Sequence, residues 1–377
     1  MSITPKVNPA LLHYEAINYG HANDDNKNQH LPIIDCSLGT NPFVHFNTIA
    51  KSIDKININQ VYPYQSPGIF EALRKEILSY FNLKNLTGSN LFFGHGSILL
   101  LERLATKFIN PNGTILGISP QFCYLINDYV SIGGKYEDVC MLDDDFSIKK
   151  IEEKLQTNNY NAFYIDNPNN PTGNYISTTE LENIMSICDK NGTICIIDEA
   201  YGDFIHEDKS ALHYIHKYSN LVVIRSFAKG FGVSSIRSGF MAMSDNLAAL
   251  FSKVDHGFEP SYISAVISME ALQHNDFLVK SRAEVKKIKE YIIPKLQNLG
   301  FKILPNNPEV SIFTVQMDGV DVFKMFGDCG ILTSPGHGFS ATTTKIDNSY
   351  TRILVPKNLE LAQEVISRIS QALVTAQ

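Results

Sequence analysis

The sequence predicts an α/β protein with a three-layer αβα large domain, built on a mostly parallel sheet, and a smaller α+β domain at the C-terminal end. Two observations lead to this prediction. Between Leu91 and about Met243, short apolar runs alternate with helical patterns, as in βαβ units. At 377 residues, the chain is also longer than a single hydrophobic core usually supports.

The elements follow in chain order. Residues 1–40, polar around 23–30, are predicted to form an N-terminal arm or to join the small domain. Residues 41–260 are predicted to form the large domain. Its expected strands are 91–93, 114–118, 162–165, 193–197 and 221–224. Residues 261–377 are predicted to form the small domain, with a long helix that ends near Gly300 and short strands at 301–304 and 310–315.

Composition excludes several classes of function. The net charge is −7 and no long basic run occurs, which argues against a nucleic acid partner. The six cysteines show no C-x-x-C spacing and lie in apolar surroundings, so we expect buried free thiols and no metal site. Neither a signal-peptide pattern nor an apolar run long enough to span a bilayer is present, so we expect a cytoplasmic protein with no membrane partner.

The most informative stretch is a loop of small residues that carries Lys229, followed eight residues later by Arg237. A lysine in such a loop suits a Schiff base to an aldehyde cofactor, and the arginine could anchor the cofactor's phosphate. A lysine followed by glycine is more often a solvated turn. Two upstream segments must therefore decide between these interpretations.

The first upstream segment is Asn-Pro-Asn-Asn-Pro-Thr-Gly at 167–173, directly after an apolar run that predicts a buried strand. An asparagine here would project from the carboxyl end of a sheet, where ligands bind in open α/β folds. The second is the strand at 193–197, which leads into Asp198-Glu199-Ala200-Tyr201. A lone aspartate at a strand end is usually a helix cap or a turn former.

Together and in this order, the three segments resemble the fold-type I aminotransferases that use pyridoxal phosphate. That family's pattern is a PNNPTG turn, a strand ending in DEAY, and SxxK with a downstream RxG. The resemblance is nearest to the histidinol-phosphate aminotransferase group and runs from about Asp35 to the C-terminal helix. It implies an aspartate-aminotransferase-like fold, pyridoxal 5'-phosphate as cofactor, and a homodimer with shared active sites.

The resemblance also implies a role for each motif residue. Lys229 would form the Schiff base and move the proton at the substrate Cα. Asp198 would accept the pyridinium N–H and keep the cofactor ring protonated. Tyr201 and Asn170 would both reach the phenolate oxygen of the cofactor.

A phosphate cradle is predicted from a strand, a glycine-rich turn at 94–97 and a helical pattern that follows. Small residues let backbone N–H groups of Gly96 and Ser97 approach a dianion at the helix start. The hydroxyls of Ser97 and Ser226 and the charge of Arg237 would complete the cradle. The competing interpretation is an ordinary tight turn with Ser97 as a helix N-cap.

Two aromatic positions follow from the resemblance. Phe122 would stack on the cofactor ring. Tyr62 or Tyr64 would cross a dimer interface to the partner's cofactor phosphate, and Tyr62 is favoured because the family's tyrosine directly precedes a proline. Core packing is the competing interpretation for Phe122 and for either tyrosine.

Substrate contacts are predicted near the C-terminus. Arg352 begins a strand where the family holds the arginine that binds the substrate carboxylate through its two-pronged fork. His337 lies in a Pro-Gly-x-x-Phe-like segment and is a candidate substrate contact. A second anionic group on the substrate would be favoured if His95, His337 or Lys345 lines the site.

The predicted function is that of an aminotransferase that moves an amino group from an amino acid, or an amine like one, to a 2-oxo acid. One departure from the family pattern is Ala228, which replaces the serine that commonly precedes the lysine. The alternative is a decarboxylase of the threonine-phosphate type, or an amino-acid cyclase or oxidase, on the same scaffold. A more remote alternative is a non-catalytic module that binds pyridoxal phosphate.

Overall fold

A computed structural model describes the chain in nine segments, namely residues 7–12, 14–15, 31–44, 50, 52–63, 68–143, 146–257, 259–339 and 346–375. The strands within these residues are β1 (Ile34–Asp35), β2 (Leu91–Gly94), β3 (Thr114–Ser119), β4 (Lys135–Cys140), β5 (Ala162–Asp166), β6 (Ile194–Asp198), β7 (Leu221–Ser226), β8 (Gly239–Met243), β9 (Lys302–Ile303), β10 (Ile312–Gln316), β11 (Ile331–Leu332), β12 (Ser334–Pro335) and β13 (Tyr350–Leu354).

The α-helices in the same residues are α1 (Ile69–Tyr80), α2 (Ser97–Arg103), α3 (Tyr124–Ser131), α4 (Ile148–Thr157), α5 (Thr178–Asn191), α6 (Asp245–Phe251), α7 (Tyr262–Gln273), α8 (Phe277–Asn298), α9 (Val322–Asp328) and α10 (Leu359–Thr375). Local chemistry sets several of their ends. Helix α5, for example, begins at a capping box between Ser177 and Glu180 and ends at Gly192, whose φ is 73°.

The large sheet has the strand order β2-β8-β7-β6-β5-β3-β4. Strand β8 pairs antiparallel with both neighbours, and the other neighbouring strands pair parallel. The predicted α/β class with a mostly parallel sheet is therefore confirmed. The sequence did not predict β4, because this edge strand is partly exposed and lacks a continuous apolar run.

Both faces of the large sheet are buried. Along each strand, alternate residues enter two different cores, as Ile197 and Ile196 do on β6. Helices α1, α4, α5 and α7 cover the first face, and α2, α3 and α6 cover the second. This arrangement gives the predicted three layers. Helix α7 and the first turn of α8 contribute to the first core, although the sequence prediction placed both in the small domain.

The small domain is built on an antiparallel sheet of order β12-β13-β10-β9, which packs against α8, α9 and α10. Strand β1 pairs parallel with β11, and the Leu354 N–H donates to the Cys36 carbonyl at 2.8 Å. These contacts attach the N-terminal segment to the C-terminal part of the chain. The same segment reaches the large domain at Asn41, whose N–H donates to the Lys229 carbonyl at 2.9 Å.

Two further properties concern the described residues as a whole. None of their helices is long and apolar enough to cross a membrane. They also contain no group of three or more His, Cys, Asp or Glu side chains that could hold a metal ion. All six cysteines are buried, as the sequence predicted.

Candidate active site

A cavity of about 230 Å³ opens at the carboxyl ends of the parallel strands, where ligands bind in open α/β folds. Strands β5, β6 and β7 end in Asp166, Asp198 and Ser226, and Asp166 pairs in register with Asp198. All three follow the alternation of the second face, so they project to one side of the sheet. The cavity is lined by Ser97, Ile98, Phe122, Tyr124, Asp166, Pro168, Asn170, Asp198, Ala200, Tyr201, Ser226, Ala228, Lys229 and Arg237.

Lys229 lies in the loop that follows β7. Its Nζ is 5.3 Å from the centre of the Tyr201 ring. The loop is held from the N-terminal segment, because the Asn41 side chain donates to the Gly230 carbonyl at 2.8 Å and its backbone N–H binds the Lys229 carbonyl. The sequence predicted that Lys229 and Tyr201 share a site, and the structure places both on this cavity.

Asp198 is a buried carboxylate at the end of β6. One oxygen accepts the Ala200 N–H at 2.9 Å, and the other faces the Tyr164 hydroxyl at 3.5 Å. Burial raises the pKa of Asp198 to about 6, although the Ala200 N–H and the nearby Lys229 charge both lower it. A cationic group bound beside this carboxylate would therefore favour its ionised form.

Asp166 is a site residue that the sequence prediction missed. Its Oδ2 accepts the N–H groups of Phe122 at 3.1 Å and Asn170 at 2.8 Å, and its Oδ1 accepts from the Asn169 side chain at 2.8 Å. Burial raises its pKa to about 7. A signal was present, because Asp166 follows an apolar strand in the same way as Asp198 does.

The predicted phosphate cradle is a close packing of Gly96 against Arg237. Gly96 has a φ of 79°, and a Cβ there would lie 2.7 Å from Nη2 of Arg237. Arg237 also has a positive φ, of 50°, and its Nη1 donates to the Ser234 carbonyl at 3.0 Å. Ser97 begins helix α2, and the Ser226 hydroxyl accepts the Ala228 N–H at 3.2 Å. The turn, the guanidinium and the two hydroxyls therefore converge on one end of the cavity.

Arg352 lies beside the cavity and reaches it through Asn170. The guanidinium is buried, with Nη1 donating to the Asn170 Oδ1 at 3.1 Å and Nη2 to the Ser334 hydroxyl at 2.7 Å. Nη2 also donates to the Ser37 carbonyl. The C-terminal sheet and the N-terminal segment thus meet the large domain at this guanidinium.

The Tyr201 hydroxyl is a polar atom for which the described residues supply no hydrogen-bond partner. It is buried and contacts the position that a Cβ on Gly39 would occupy, so no larger residue could stand there without displacement. A buried hydroxyl with no partner costs free energy. A polar atom of a bound molecule would remove that cost, because Tyr201 lines the cavity.

Three predicted contacts lie away from this cavity. Tyr62 is 94% exposed, and His95 is exposed and is not a lining residue. His337 was predicted to contact substrate, but its turn directs it to a separate depression, where Nδ1 pairs with the Asn348 side chain at 2.8 Å. Tyr64 and Lys345 lie outside the described residues.

Residues 33–369 match the family described as aminotransferase class I and II. The chain belongs to this family. A histidinol-phosphate aminotransferase of Clostridium novyi is 30% identical over 260 residues, covering 68% of this chain and 69% of the relative. Family membership confirms the predicted resemblance and makes this protein a pyridoxal-phosphate-dependent aminotransferase.

Solved structures give the same fold for this aminotransferase. A histidinol-phosphate aminotransferase from Sinorhizobium meliloti in complex with pyridoxal-5'-phosphate has a TM-score of 0.80 at 17% identity, covering 100% of both chains. An L-threonine-O-3-phosphate decarboxylase from Porphyromonas gingivalis has a TM-score of 0.75 at 16% identity, covering 91% of this chain and 100% of the other. At these identities the likeness concerns the fold alone.

Proposed function

We propose that this aminotransferase moves an amino group from an amino acid, or an amine that resembles one, to a 2-oxo acid, with Lys229 as its catalytic base. One observation carries the proposal. The cavity collects Lys229, Asp198, Asn170, Tyr201 and Arg237 from separate segments of the chain, at the edge of the sheet where α/β folds bind ligands.

The residues around the cavity fit pyridoxal phosphate. When bound, this cofactor supplies an aldehyde that takes up the amino group and a pyridine ring that accepts electrons from the substrate Cα. The buried carboxylate of Asp198 would hold a proton on the ring nitrogen. Tyr201, whose hydroxyl has no partner among the described residues, and Asn170 would bind the ring's oxygen.

The phosphate would occupy the end of the cavity formed by the glycine-rich turn. There the backbone of Gly96 and Ser97 lies at the start of α2, close to Arg237. The positive helix start and the guanidinium both favour a dianion. The Ser226 hydroxyl would add a hydrogen bond, and Phe122 would stack on the ring.

Lys229 would take up the aldehyde and, once released from it, would move a proton from the substrate Cα. A lysine amine suits this role, and Lys229 lines the cavity in which the substrate would bind. Arg352 would bind the substrate carboxylate with its guanidinium fork, next to Asn170. This pairing restricts the donor to amino acids and compounds like them.

We also propose that two copies of the chain associate and complete each other's sites. The described segment 52–63 presents apolar side chains to solvent, namely Ile53, Ile58, Val61 and Tyr62. Exposed apolar patches of this kind are typical of protein interfaces. Tyr62 would then reach the partner's phosphate, so Tyr62→Phe should weaken cofactor binding in a dimer without changing its sedimentation.

The decisive experiment mixes cofactor-loaded protein with single amino acids and amino-acid phosphates, without any 2-oxo acid. Stoichiometric pyridoxamine phosphate, with loss of the cofactor's visible absorbance, would support the proposal and identify the donor. Release of carbon dioxide with the absorbance restored would instead support the decarboxylase alternative.

Two variants complete that experiment. Lys229→Ala should abolish product formation and change the absorbance of bound cofactor. Lys217→Ala, which removes an exposed lysine paired with Glu182, should leave both unchanged. If Lys229→Ala keeps full activity, Lys229 is not the catalytic base.

A further inference from the structure

The cavity contains a second buried carboxylate that the proposed reaction does not use. Asp166 ends β5 directly beside Asp198 on β6, and its side chain is 4% exposed. Asp198 has an assigned partner in the cofactor ring. Asp166 lines the same cavity, yet its hydrogen bonds run to two loops of the protein itself.

Those two loops carry two residues expected to contact the cofactor ring, Phe122 on its face and Asn170 at its oxygen. A single oxygen, Oδ2 of Asp166, accepts the backbone N–H of Phe122 at 3.1 Å and that of Asn170 at 2.8 Å. Because both bonds end on the same atom, the distance between the two backbones is limited by hydrogen-bond geometry. The Phe122 and Asn170 side chains both line the cavity.

The other carboxylate oxygen extends this connection. Oδ1 of Asp166 accepts from the Asn169 side chain at 2.8 Å, and the same Asn169 nitrogen donates to the Pro120 carbonyl at 2.9 Å. Asn169 in turn accepts from the Thr172 hydroxyl at 2.6 Å. Asp166 is therefore the centre of a buried network that joins the loop before α3 to the turn after β5.

We propose that Asp166 is a positioning residue that fixes the spacing between Phe122 and Asn170 and so sets where the cofactor ring lies, with Phe122 on its face and Asn170 at its oxygen. The inference rests on the proposed function, because it takes both side chains as ring contacts. The position of the acceptor oxygen, more than its negative charge, performs this role. The three hydrogen bonds to the Asp166 carboxylate all come from neutral N–H groups.

Two substitutions separate position from charge. Asp166→Asn removes the charge and keeps one oxygen acceptor for the Phe122 and Asn170 N–H groups, but it replaces the acceptor for the Asn169 side chain by an NH2 donor. Asp166→Glu keeps the charge and moves the acceptor by one methylene group. The control is Asp189→Glu. Asp189 also joins two segments, because it accepts hydrogen bonds from the Ser219 N–H at 2.7 Å and from the Ser219 hydroxyl at 2.6 Å. It lies outside the cavity.

The measurements use full-length protein loaded with pyridoxal phosphate. Visible circular dichroism reports how the ring is held, and dialysis gives the rate at which cofactor is lost. We expect Asp166→Glu to alter the dichroism and to speed cofactor loss about 10-fold or more, equivalent to about 1.4 kcal/mol. The rate of cofactor loss from Asp166→Asn should stay within about 3-fold of the wild-type rate, because its amide oxygen still accepts the Phe122 and Asn170 N–H groups. Asp189→Glu should lose cofactor at the wild-type rate, since Asp189 lies outside the cavity.

Three outcomes would overturn the inference. One is an Asp166→Glu protein with wild-type dichroism and cofactor retention. Another is an Asp166→Asn protein as impaired as Asp166→Glu, which would assign the role to the charge or to the Asn169 bond and not to the oxygen shared by Phe122 and Asn170. The last is an equal effect of Asp189→Glu. Should Asp166→Glu fail to fold, Asp166→Asn still decides between position and charge. A wild-type protein that binds no cofactor would contradict the proposed function instead.

Discussion

Two groups of buried charges lie on opposite faces of the same strands. Asp166 and Asp198 project to the cavity face, where their hydrogen bonds come from N–H groups and from the Tyr164 hydroxyl. On the other face, Arg225 binds Glu199 at 2.7 Å and Asp203 at 2.5 Å, and all three are buried. Arg225 directly precedes Ser226, so the alternation of β7 separates the groups.

The difference distinguishes a structural cluster from a site. In the Arg225 cluster, the protein supplies the cation for its own buried carboxylates. On the cavity face, burial raises the pKa of Asp166 to about 7 and that of Asp198 to about 6, so ionised carboxylates there cost stability. Burial raises the pKa of Asp203 as well, but there the paired Arg225 guanidinium opposes the shift. Buried groups that a protein keeps at such a cost mark positions where a ligand can compensate.

The largest expected effect is that of Arg225→Met on stability. Removing the guanidinium leaves Glu199 and Asp203 as buried carboxylates without their cation, which costs about 3–5 kcal/mol. Urea unfolding measures this loss. Lys217→Met removes an exposed ion pair with Glu182 and serves as the control, with little change expected. If both variants lower the free energy of unfolding equally, the buried Arg225 cluster does not stabilise the protein more than an exposed ion pair does.

Asp198→Asn should act in the opposite direction on cofactor-free protein. A pKa raised from 3.8 to about 6 means that the ionised carboxylate costs about 3 kcal/mol at pH 7, and the amide avoids this cost. We therefore expect higher stability in urea together with turnover reduced at least about 100-fold. Destabilisation of the cofactor-free variant would show that Asp198 is satisfied by the protein alone.

The pH dependence of this difference tests its cause. Below about pH 3, under the ordinary pKa of 3.8, the Asp198 carboxyl is protonated in the folded and the unfolded protein, so wild type and Asp198→Asn should unfold alike. As pH rises from 3.8 to about 6, the carboxyl ionises in the unfolded protein while the buried one keeps its proton, so the wild type should fall behind the variant, and above about pH 6 the gap should stay constant. Melting temperatures of cofactor-free protein between about pH 3 and 8 measure this; a gap that does not grow between about pH 3 and 6 would exclude the titration of Asp198.

The smallest expected effect compares two glycines with similar φ. Gly96 (φ 79°) packs against Arg237, whereas Gly192 (φ 73°) has open space around it. Alanine at either position costs roughly 1–3 kcal/mol through backbone strain. Only Gly96→Ala should also weaken binding of pyridoxal phosphate relative to pyridoxal, which lacks the phosphate. If titrations show the same loss for both compounds, the turn does not bind the phosphate.

Sequence predicted the parts of the site that lie in contiguous segments. Lys229, Asp198 and Asn170 each follow an apolar strand within a few residues, so their meeting at one edge of a parallel sheet was foreseeable. Residues that depend on packing between distant segments were not. The role of Asp166 depends on its hydrogen bond to Phe122, which lies 44 residues earlier in the chain. The partners of Arg225 come from the segment after β6, and no local pattern predicts either contact.

Other differences have similar causes. The edge strand β4 shows no apolar run, because one side of it faces solvent. Helix α7 has apolar residues around much of its circumference, so its pattern gave no indication of which core it joins.

The contacts of the N-terminal segment limit the order in which the folding chain can complete the site. The Cys36 carbonyl accepts the N–H of Leu354 in the last strand, β13. Five residues later, the Asn41 N–H donates to the carbonyl of Lys229, near the middle of the sequence. The contacts that position the lysine are thus shared with a segment that itself needs the last strand for support. Long loops must close before those contacts form, which is entropically slow. The residues that line the cavity all lie between 97 and 237, but the loop that carries Lys229 is held by contacts that require both the N-terminal segment and the last strand.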